Sequence, residues 1–423
     1  MFCKALLITL ALALIAAASP VEARSAAGIR IPLGKRESLT NADGTFNREK
    51  AVKSMAKTVN KHRANLINLE RNVGRQAFNE GAEIKHLATA PSMNVTKRQN
   101  EPLTEEDLLE WAGMISIGIP IQKFLVDFDT GTADLWVPSS SCRSLTCSHK
   151  RRYTPSSSFT SADQRGSFHA QDDSGDSVFG DIYTDTVHIA GVTVENQYFS
   201  PVFEMSSDIV GHRIDGILGL AYPAVSNLGK SPFFNTAISQ GAVAEGVFGF
   251  MLGSPVSELY LGGIDSNLYT GAIEYHSVDT SSGLWQLSGA SAYVGSKAVV
   301  SNFKTVIDSG TTLMIGPSSA VEALYASVGG SKTNDIGDGF YTFPCNATPS
   351  AVSFGWGGQK WSVSAESFNL GQFSLGSDRC VGALAGLDTD FGDDVWVLGV
   401  SFMRNVYTVF SFDDDTVGFA ALA

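Results

Sequence analysis

The chain has 423 residues, enough for more than one hydrophobic core, and its 43% hydrophobic and 17% charged residues are ordinary for a soluble globular protein. The net charge is −13, but residues 24–98 hold 15 Lys and Arg against 6 Asp and Glu, whereas residues 99–423 hold 14 against 36. No basic patch is interleaved with aromatic residues. This argues against nucleic-acid binding and favours pairing between the basic front and the acidic body.

Residues 1–18 predict a secretory signal peptide. Lys4 precedes an apolar run of 14 residues, and small residues suit cleavage after Ala18 or after Ala23. The run is shorter than the roughly 20 residues that a membrane span needs, and no later segment is long and apolar enough. We therefore expect no membrane anchor. Export is favoured because no retention signal is evident, with an acidic vacuole as the alternative.

Residues 24–98 form the basic segment. Residues 28–33 alternate like a strand. Apolar residues at helical spacing follow at Val52, Met55, Ala56 and Val59. The dibasic pair Lys97-Arg98 lies where the charge changes sign, and it predicts a processing site there.

Two short motifs carry the chemistry. An alternating apolar strand runs into Asp129-Thr-Gly, and a second apolar strand runs into Asp308-Ser-Gly, 179 residues later. A carboxylate at the end of a buried strand is costly unless something pairs with it. Two carboxylates brought together share a proton, so one acts as a base toward water and the other as an acid toward a carbonyl.

The chain resembles the pepsin-like aspartic endopeptidases and looks closest to secreted fungal members. The resemblance rests on both triplets and on flanking motifs at residues 135–138, 215–222, 261–265, 285–286, 396–399 and 402–404. It implies an all-β, bilobal fold with the cleft between a lobe at residues 99–277 and a lobe at residues 278–423. Each lobe should also hold an apolar-apolar-Gly turn, which makes an internal repeat.

The resemblance also implies the roles of the motif residues. Asp129 and Asp308 would activate a shared water for attack on a peptide carbonyl, without a covalent intermediate. The surrounding loops would be held by Thr130, Gly131, Thr132, Ser309, Gly310 and Thr311. In these loops Thr130 and Ser309 would brace each other, and the two outer threonines would hydrogen-bond the carboxylates. No metal and no organic cofactor is expected.

Residues 24–98 would then be a pro-segment that inhibits its own enzyme. Its cations would neutralise the acidic body and cover the cleft at neutral pH, and acid would weaken that attraction as carboxylates protonate near pH ~4. Either the enzyme matures itself in acid or a dibasic-specific protease cuts after Arg98. The sequence does not single out which lysine reaches the two aspartates.

Four cysteines remain once Cys3 leaves with the signal peptide, an even number in a secreted chain. The resemblance pairs Cys142 with Cys147 and Cys345 with Cys380. Asn346 begins an N-glycosylation sequon, and Asn94 begins another in the basic segment.

Residues 166–187 should form the flap, a hairpin that closes over the substrate. Where the family usually has a tyrosine that bonds toward the residue matching Trp136, this chain has Asp173, with Asp176 close by. Phe168 or Phe179 would have to substitute for the tyrosine. Asp127 lies on the same strand face as Asp129. With Asp173 or Asp176 it would favour Lys or Arg before the scissile bond, or it is an acid without a role in selectivity.

The expected partners are protein and peptide substrates and pepstatin-type inhibitors, and the expected state is a monomer. The competing interpretation is a protein of the same fold that binds without cutting, which only the altered flap supports. A metalloprotease or serine hydrolase is disfavoured, because the chain has neither His-Glu-x-x-His nor Gly-x-Ser-x-Gly.

Overall fold

Strands dominate the computed structural model of the protein. It describes residues 28–34, 38–85, 111–171, 177–206, 214–253, 257–328, 339–346 and 352–423. Within these ranges 23 strands form four sheets, and the helices are few. The all-β, bilobal prediction is confirmed.

The first lobe is built on a seven-stranded sheet in the order β2-β3-β8-β4-β7-β6-β5, with an extra pairing of β2 with β6. Its strands are β2 Ala112–Ile117, β3 Gln122–Asp129, β4 Leu135–Pro138, β5 Ala162–Gln171, β6 Ser177–Ile189, β7 Val192–Met205 and β8 Gly216–Gly219. The hairpin of β5 and β6 occupies the predicted flap region. Its tip, residues 172–176, lies outside the described residues.

The second lobe holds a seven-stranded sheet in the order β17-β16-β12-β13-β21-β14-β20 and a three-stranded sheet in the order β15-β19-β18. The strands of the larger sheet are β12 Gln286–Val294, β13 Lys297–Ile307, β14 Met314–Gly316, β16 Val352–Gly355, β17 Trp361–Ser362, β20 Leu384–Gly386 and β21 Val395–Leu398. The smaller sheet consists of β15 Thr342–Pro344, β18 Asn369–Gln372 and β19 Arg379–Gly382.

A six-stranded sheet joins the two halves of the chain in the order β1-β10-β9-β22-β23-β11. Its strands are β1 Ile29–Pro32, β9 Val247–Leu252, β10 Ser257–Leu261, β11 Tyr269–Ser277, β22 Tyr407–Ser411 and β23 Thr416–Leu422. Strand β1 was predicted from its alternation, and it lies at the edge of this sheet, antiparallel to β10. The basic segment therefore belongs to the folded body at its very start.

The two lobes repeat one arrangement around their motifs. In the first lobe β8 runs parallel to β3 and antiparallel to β4, and in the second lobe β21 runs parallel to β13 and antiparallel to β14. The predicted apolar-apolar-Gly turns end β8 and β21. In this register Asp129 is paired with Gly219, and Ile307, the residue before Asp308, is paired with Leu398.

The longest helix, α1 Arg48–Asn72, lies in the basic segment. The side chain of Asn47 accepts a hydrogen bond from Lys50 N and so caps its first turn. Val52, Met55 and Val59 are buried, as their helical spacing predicts, but the helix runs 13 residues beyond Val59. The remaining helices are short: α2 Phe233–Ser239, α3 Ser318–Ser327, α4 Ala365–Phe368 and α5 Val400–Met403.

Among the described residues no helix is long and apolar enough to cross a membrane. Within the same ranges no group of three or more His, Cys, Asp and Glu side chains is arranged to hold a metal ion.

Candidate active site

The structure brings Asp129 and Asp308 to one point at the floor of the cleft. Each follows an apolar strand, β3 and β13 respectively, and the two carboxylates are 2% and 0% exposed. Each main chain continues into a tight loop whose glycine faces the opposite aspartate. A Cβ on Gly131 would lie 2.6 Å from Asp308 Oδ1, and a Cβ on Gly310 would overlap Asp129 Oδ1. Only glycine permits this approach of the two loops.

Thr130 and Ser309 hold the two loops together symmetrically. Thr130 N donates to Ser309 Oγ over 2.9 Å, and Ser309 N donates to Thr130 Oγ1 over 2.9 Å. Each hydroxyl also donates across the interface, from Thr130 Oγ1 to Ile307 O over 3.0 Å and from Ser309 Oγ to Phe128 O over 2.7 Å. Because all four groups are buried and bonded, they fix the separation of the two aspartates.

Hydroxyl and amide donors orient each carboxylate. Thr132 Oγ1 donates to Asp129 Oδ2 over 3.1 Å, and Thr311 Oγ1 donates to Asp308 Oδ2 over 2.7 Å. The amides of Gly131 and Gly310 donate to the other oxygens over 2.7 and 3.0 Å. The repeat of the two lobes thus supplies each carboxylate with the same pair of donors, one hydroxyl and one amide.

A lysine of the basic segment lies between the two aspartates. Lys61 Nζ is 3.1 Å from Asp129 Oδ1 and 2.9 Å from Asp308 Oδ1, and the lysine side chain is only 8% exposed. This identifies the lysine that the sequence left open. A substrate carbonyl cannot reach the aspartates while the ammonium group is in place.

The two carboxyl groups titrate differently in this arrangement. Burial raises the pKa of Asp129; the charge of Lys61 opposes this rise and the charge of Asp308 adds to it. Burial also acts to raise the pKa of Asp308, but the charge of Lys61, with His62 beside it, holds that pKa below its ordinary value. Asp308 is therefore the ionised partner of the lysine, and Asp129 is the carboxyl that takes up a proton more readily.

A stripe of polar side chains on α1, which we call the polar stripe, faces the floor of the cleft. It recurs every third or fourth residue, at Ser54, Thr58, Lys61, Asn65, Asn68 and Asn72. In order, its members contact Thr312, Thr311, the two aspartates, Gly131 O, Val225 O, and the carbonyls of Ala224 and Ser226. This stripe was not predicted, although its spacing is visible in the sequence beside the apolar one.

The other predicted site residues are only partly described. Asp127 lies on β3 and is 1% exposed, and Trp136 packs on a buried cluster that includes Phe168, at 1% exposure, and Val178. Phe168 is therefore a buried residue of the β5–β6 hairpin itself and belongs to the cluster on which Trp136 packs. Asp173, Asp176, Lys97, Arg98 and Asn94 lie outside the described residues, as do residues 1–18, for which a signal peptide was predicted.

Both predicted disulfides are present, Cys142–Cys147 and Cys345–Cys380. They close loops of very different length, with sequence separations of 5 and 35. Asn346, next to the second disulfide, is exposed.

Two buried aspartates at the junction of two similar β lobes define an acid-protease type of site. A model of the family described as eukaryotic aspartyl protease matches residues 110–422. The chain belongs to this family.

Curated proteins that are similar to the chain carry consistent names. An aspartic protease of Phaffia rhodozyma is 41% identical over 316 residues, which cover 73% of this chain and 76% of that protein. Major aspartyl peptidase 1 of Cryptococcus neoformans is 32% identical over 336 residues, covering 74% and 68%. Pepsin A of Sus scrofa is 33% identical over 335 residues, covering 77% and 84%. The protein is an aspartic-type endopeptidase that acts on peptide bonds.

Proposed function

We propose that the chain is the inactive precursor of a secreted endopeptidase that works in acid, and that residues 24–98 are its pro-segment. The observation that carries this proposal is the position of Lys61 Nζ within hydrogen-bonding distance of both aspartates. An enzyme that kept this ammonium group in its site would admit no substrate. The polar stripe and β1 give the segment further contacts on both sides of the cleft.

Once the segment has left, Asp129 and Asp308 share one proton and hold a water between them. The ionised carboxylate takes a proton from the water as it attacks the peptide carbonyl, and the protonated carboxyl donates its proton to the carbonyl oxygen. The bonds from the two outer threonines and the loop amides hold both carboxylates in place during this exchange. Activity requires one proton on the pair, which is why acid favours it.

Digestion of casein at acid pH tests this proposal. The acid-treated wild type should be active and should lose that activity to pepstatin. Asp129→Asn and Asp308→Asn should each lower kcat by at least about a thousandfold, because neither amide can exchange the proton. Thermal unfolding of each variant at neutral pH serves as the control for folding. Acid activity that survives in either variant would refute the assignment of the dyad.

The proposed precursor has two routes of maturation, self-cleavage in acid and cutting after Arg98 by another protease. An Asp308→Asn precursor cannot cleave itself, whereas a precursor with Lys97→Ala and Arg98→Ala cannot be cut by a dibasic-specific protease. Following the size of each secreted product assigns the route, since only one of the two variants should keep the pro-segment.

Asp127 is proposed as a specificity residue that favours Lys or Arg in the substrate residue before the scissile bond. Its support is an acidic side chain, 1% exposed, on the strand that ends in Asp129 and two residues before it. A peptide library in which Asp127→Ser treats these basic residues as the wild type does would contradict this role.

The chain is further proposed to be exported and to carry a glycan on Asn346, whose side chain is accessible. Treatment of the secreted protein with an N-glycosidase should reduce its apparent mass, and the Asn346→Gln variant should remove the part of the shift due to this site.

A further inference from the structure

We infer that Asp390 is a binding subsite for a Lys or Arg side chain of the substrate, a few residues away from the bond that is cut. The inference rests on the proposed function, because the subsite opens only when the pro-segment has left a working active site. The chemistry required is one carboxylate on the wall of the cleft, matched by one cation of an extended peptide.

The loop that carries Asp390 lies close to the two aspartates. His62 packs against Phe391 with ring centroids 5.3 Å apart, and its Nε2 lies 3.4 Å from Asp308 Oδ2. A single side chain thus separates the residue after Asp390 from the reacting centre. An extended peptide advances about 3.3 Å per residue, so a side chain that reaches this wall belongs to a residue near the scissile bond.

The side chain of Asp390 is 3% exposed and contacts two cations. Arg63 Nε donates to Asp390 Oδ2 over 2.9 Å with Nη2 on the same oxygen at 2.5 Å, and Lys85 Nζ lies 2.5 Å from Oδ1. In the part of the chain that the structure describes, both of these cations come from the pro-segment. Its removal takes away the compensating charges and leaves the carboxylate facing the cleft.

The pro-segment also pairs its backbone with this loop. Glu83 N donates to Asp390 O over 2.9 Å, and Asp393 N donates to Glu80 O over 3.1 Å. Extended peptides bind to proteins through main-chain bonds of this kind, with side chains read in turn by pockets. The pro-segment therefore presents one of its two cations, Lys85, from a stretch of backbone that a substrate can follow, whereas Arg63 reaches Asp390 from helix α1.

Without Arg63 and Lys85 the carboxylate of Asp390 faces the water of the cleft and has no cation beside it among the contacts described above. A substrate cation that restores the pair forms charge-assisted hydrogen bonds, which are stronger than neutral ones. We expect kcat/KM to rise about tenfold when Lys replaces Gln at the matching substrate position. An arginine can bind through two of its nitrogens and should be preferred at least as strongly.

This subsite is separate from the one proposed at Asp127. Asp127 belongs to β3 of the first lobe, whereas Asp390 lies between β20 and β21 of the second lobe. The two carboxylates therefore act on different substrate positions. If Asp127→Ser removes a preference for Lys or Arg that Asp390→Asn leaves intact, that preference is due to Asp127 and not to Asp390.

The test uses the mature enzyme and a series of peptides with one fixed scissile bond. Lys, acetyl-lysine or Gln is placed at each neighbouring position in turn, and kcat/KM is measured for each peptide. The wild type should show a Lys-to-Gln ratio of about ten at one position and should treat acetyl-lysine like Gln. Asp390→Asn and Asp390→Ser should bring the ratio at that position close to one.

Asp388→Asn is the matched control. Asp388 is an exposed carboxylate two residues earlier in the same loop, and it accepts a hydrogen bond from Ser318 N. This variant removes the same charge and should keep the wild-type ratio. A ratio that falls equally in Asp388→Asn and Asp390→Asn would overturn the inference, because a diffuse field would then explain the preference.

The inference and the proposed function fail in different ways. If the Gln peptides are cut by the wild type but not by Asp129→Asn, and no position prefers Lys, only the subsite is refuted. If the wild type prefers acetyl-lysine as strongly as Lys, the positive charge of the substrate has no role and the subsite is again refuted. This comparison needs only the wild type, so it holds even if neither Asp390 variant folds. If Asp129→Asn cuts the Gln peptides as fast as the wild type does, the proposed function itself is wrong.

Discussion

Lys61 Nζ lies 2.9 Å from Asp308 Oδ1, and this ion pair is buried at the centre of the cleft. Its second contact, to Asp129, makes the ammonium group the counterion of both carboxylates at once. Replacing both partners of a buried ion pair by apolar residues often changes the stability of a protein little. Removing only one partner is strongly destabilising, because it leaves an uncompensated buried charge. The precursor that we propose should therefore depend on this one lysine more than on an exposed ion pair.

We predict that Lys61→Met destabilises the precursor at neutral pH by about 3 kcal/mol or more, because two buried carboxylates lose their cation. The pKa of Asp308 is depressed in the docked state, so its contribution to docking is present above its ordinary pKa and is lost as the pH falls. The difference between variant and wild type should thus be largest at neutral pH and shrink in acid. Thermal unfolding across pH measures it.

The same variant should release the pro-segment at a higher pH than the wild type, which a fluorogenic peptide assay can follow. Lys53→Met is the control, since Lys53 lies on the same helix, is 50% exposed and pairs with Glu49. It should unfold and activate like the wild type. Equal behaviour of the two lysine variants would contradict the central role of Lys61.

The polar stripe leads to a second prediction. Asn65 Nδ2 donates to Gly131 O over 2.8 Å, and both groups are in buried surroundings beside Asp129. Asn65→Ala should weaken docking of the helix by about 1 to 2 kcal/mol, because the carbonyl loses its donor without gaining water. The rate of activation at a fixed acid pH should rise by about tenfold.

Ile67→Ala is a suitable comparison for Asn65→Ala, because Ile67 is on the same helix at 43% exposure. Alanine has a higher helix propensity than either residue, so propensity alone would stabilise both variants. If Asn65→Ala activates no faster than Ile67→Ala, the stripe does not hold the helix in the cleft.

Much of this site could be predicted from sequence because the signals are local. An apolar strand that ends in Asp, a hydroxyl residue and Gly is enough to predict Asp129 and Asp308 as the reactive pair. The apolar-apolar-Gly turns at the ends of β8 and β21 are equally short patterns. The alternation of residues 28–33 likewise gave β1. Each of these patterns repeats with the period of the element that it forms.

The contacts of the proposed pro-segment could not be predicted in the same way. Helix α1 contains several lysines, and only the rotation of the docked helix decides that Lys61 and not Lys53 meets the aspartates. Asp390 has no periodic context, since it lies in an irregular loop with a positive φ of 59°. Its partners Arg63 and Lys85 are more than 300 residues away, so their pairing emerges only in the folded chain.

The disulfides give a third prediction, which depends on loop length. Replacing both Cys345 and Cys380 by Ala opens a loop with a sequence separation of 35, whereas replacing Cys142 and Cys147 opens one of 5. The chain-entropy relation gives a loss of about 4 kcal/mol for the first pair and about 2 kcal/mol for the second. Urea unfolding of the two double variants should rank them in this order, and the reverse order would show that strain or local packing outweighs chain entropy.

The last prediction concerns strand β1, where Arg30 Nη2 lies 2.5 Å from Asp265 Oδ2 and Nε lies 3.9 Å from Glu258 Oε2. Burial raises the pKa of Glu258, the charge of Asp265 adds to this rise, and Arg30 opposes it. A raised pKa means that the favourable contribution of Glu258 is complete below its ordinary pKa and is lost as the pH rises. Arg30 offsets part of that loss at neutral pH.

Arg30→Gln should therefore lower the stability of the precursor at neutral pH by about 1 kcal/mol, a value reduced for the solvent exposure of the arginine. Near pH ~4, where glutamate begins to protonate, the difference should become smaller. Thermal unfolding at both pH values measures it. Arg75→Gln is the control, because Arg75 pairs with Glu70 on the open surface and should show no such pH dependence. An equal loss for Arg30→Gln at both pH values would mean that Arg30 acts through packing of β1 and not through the carboxyl pair.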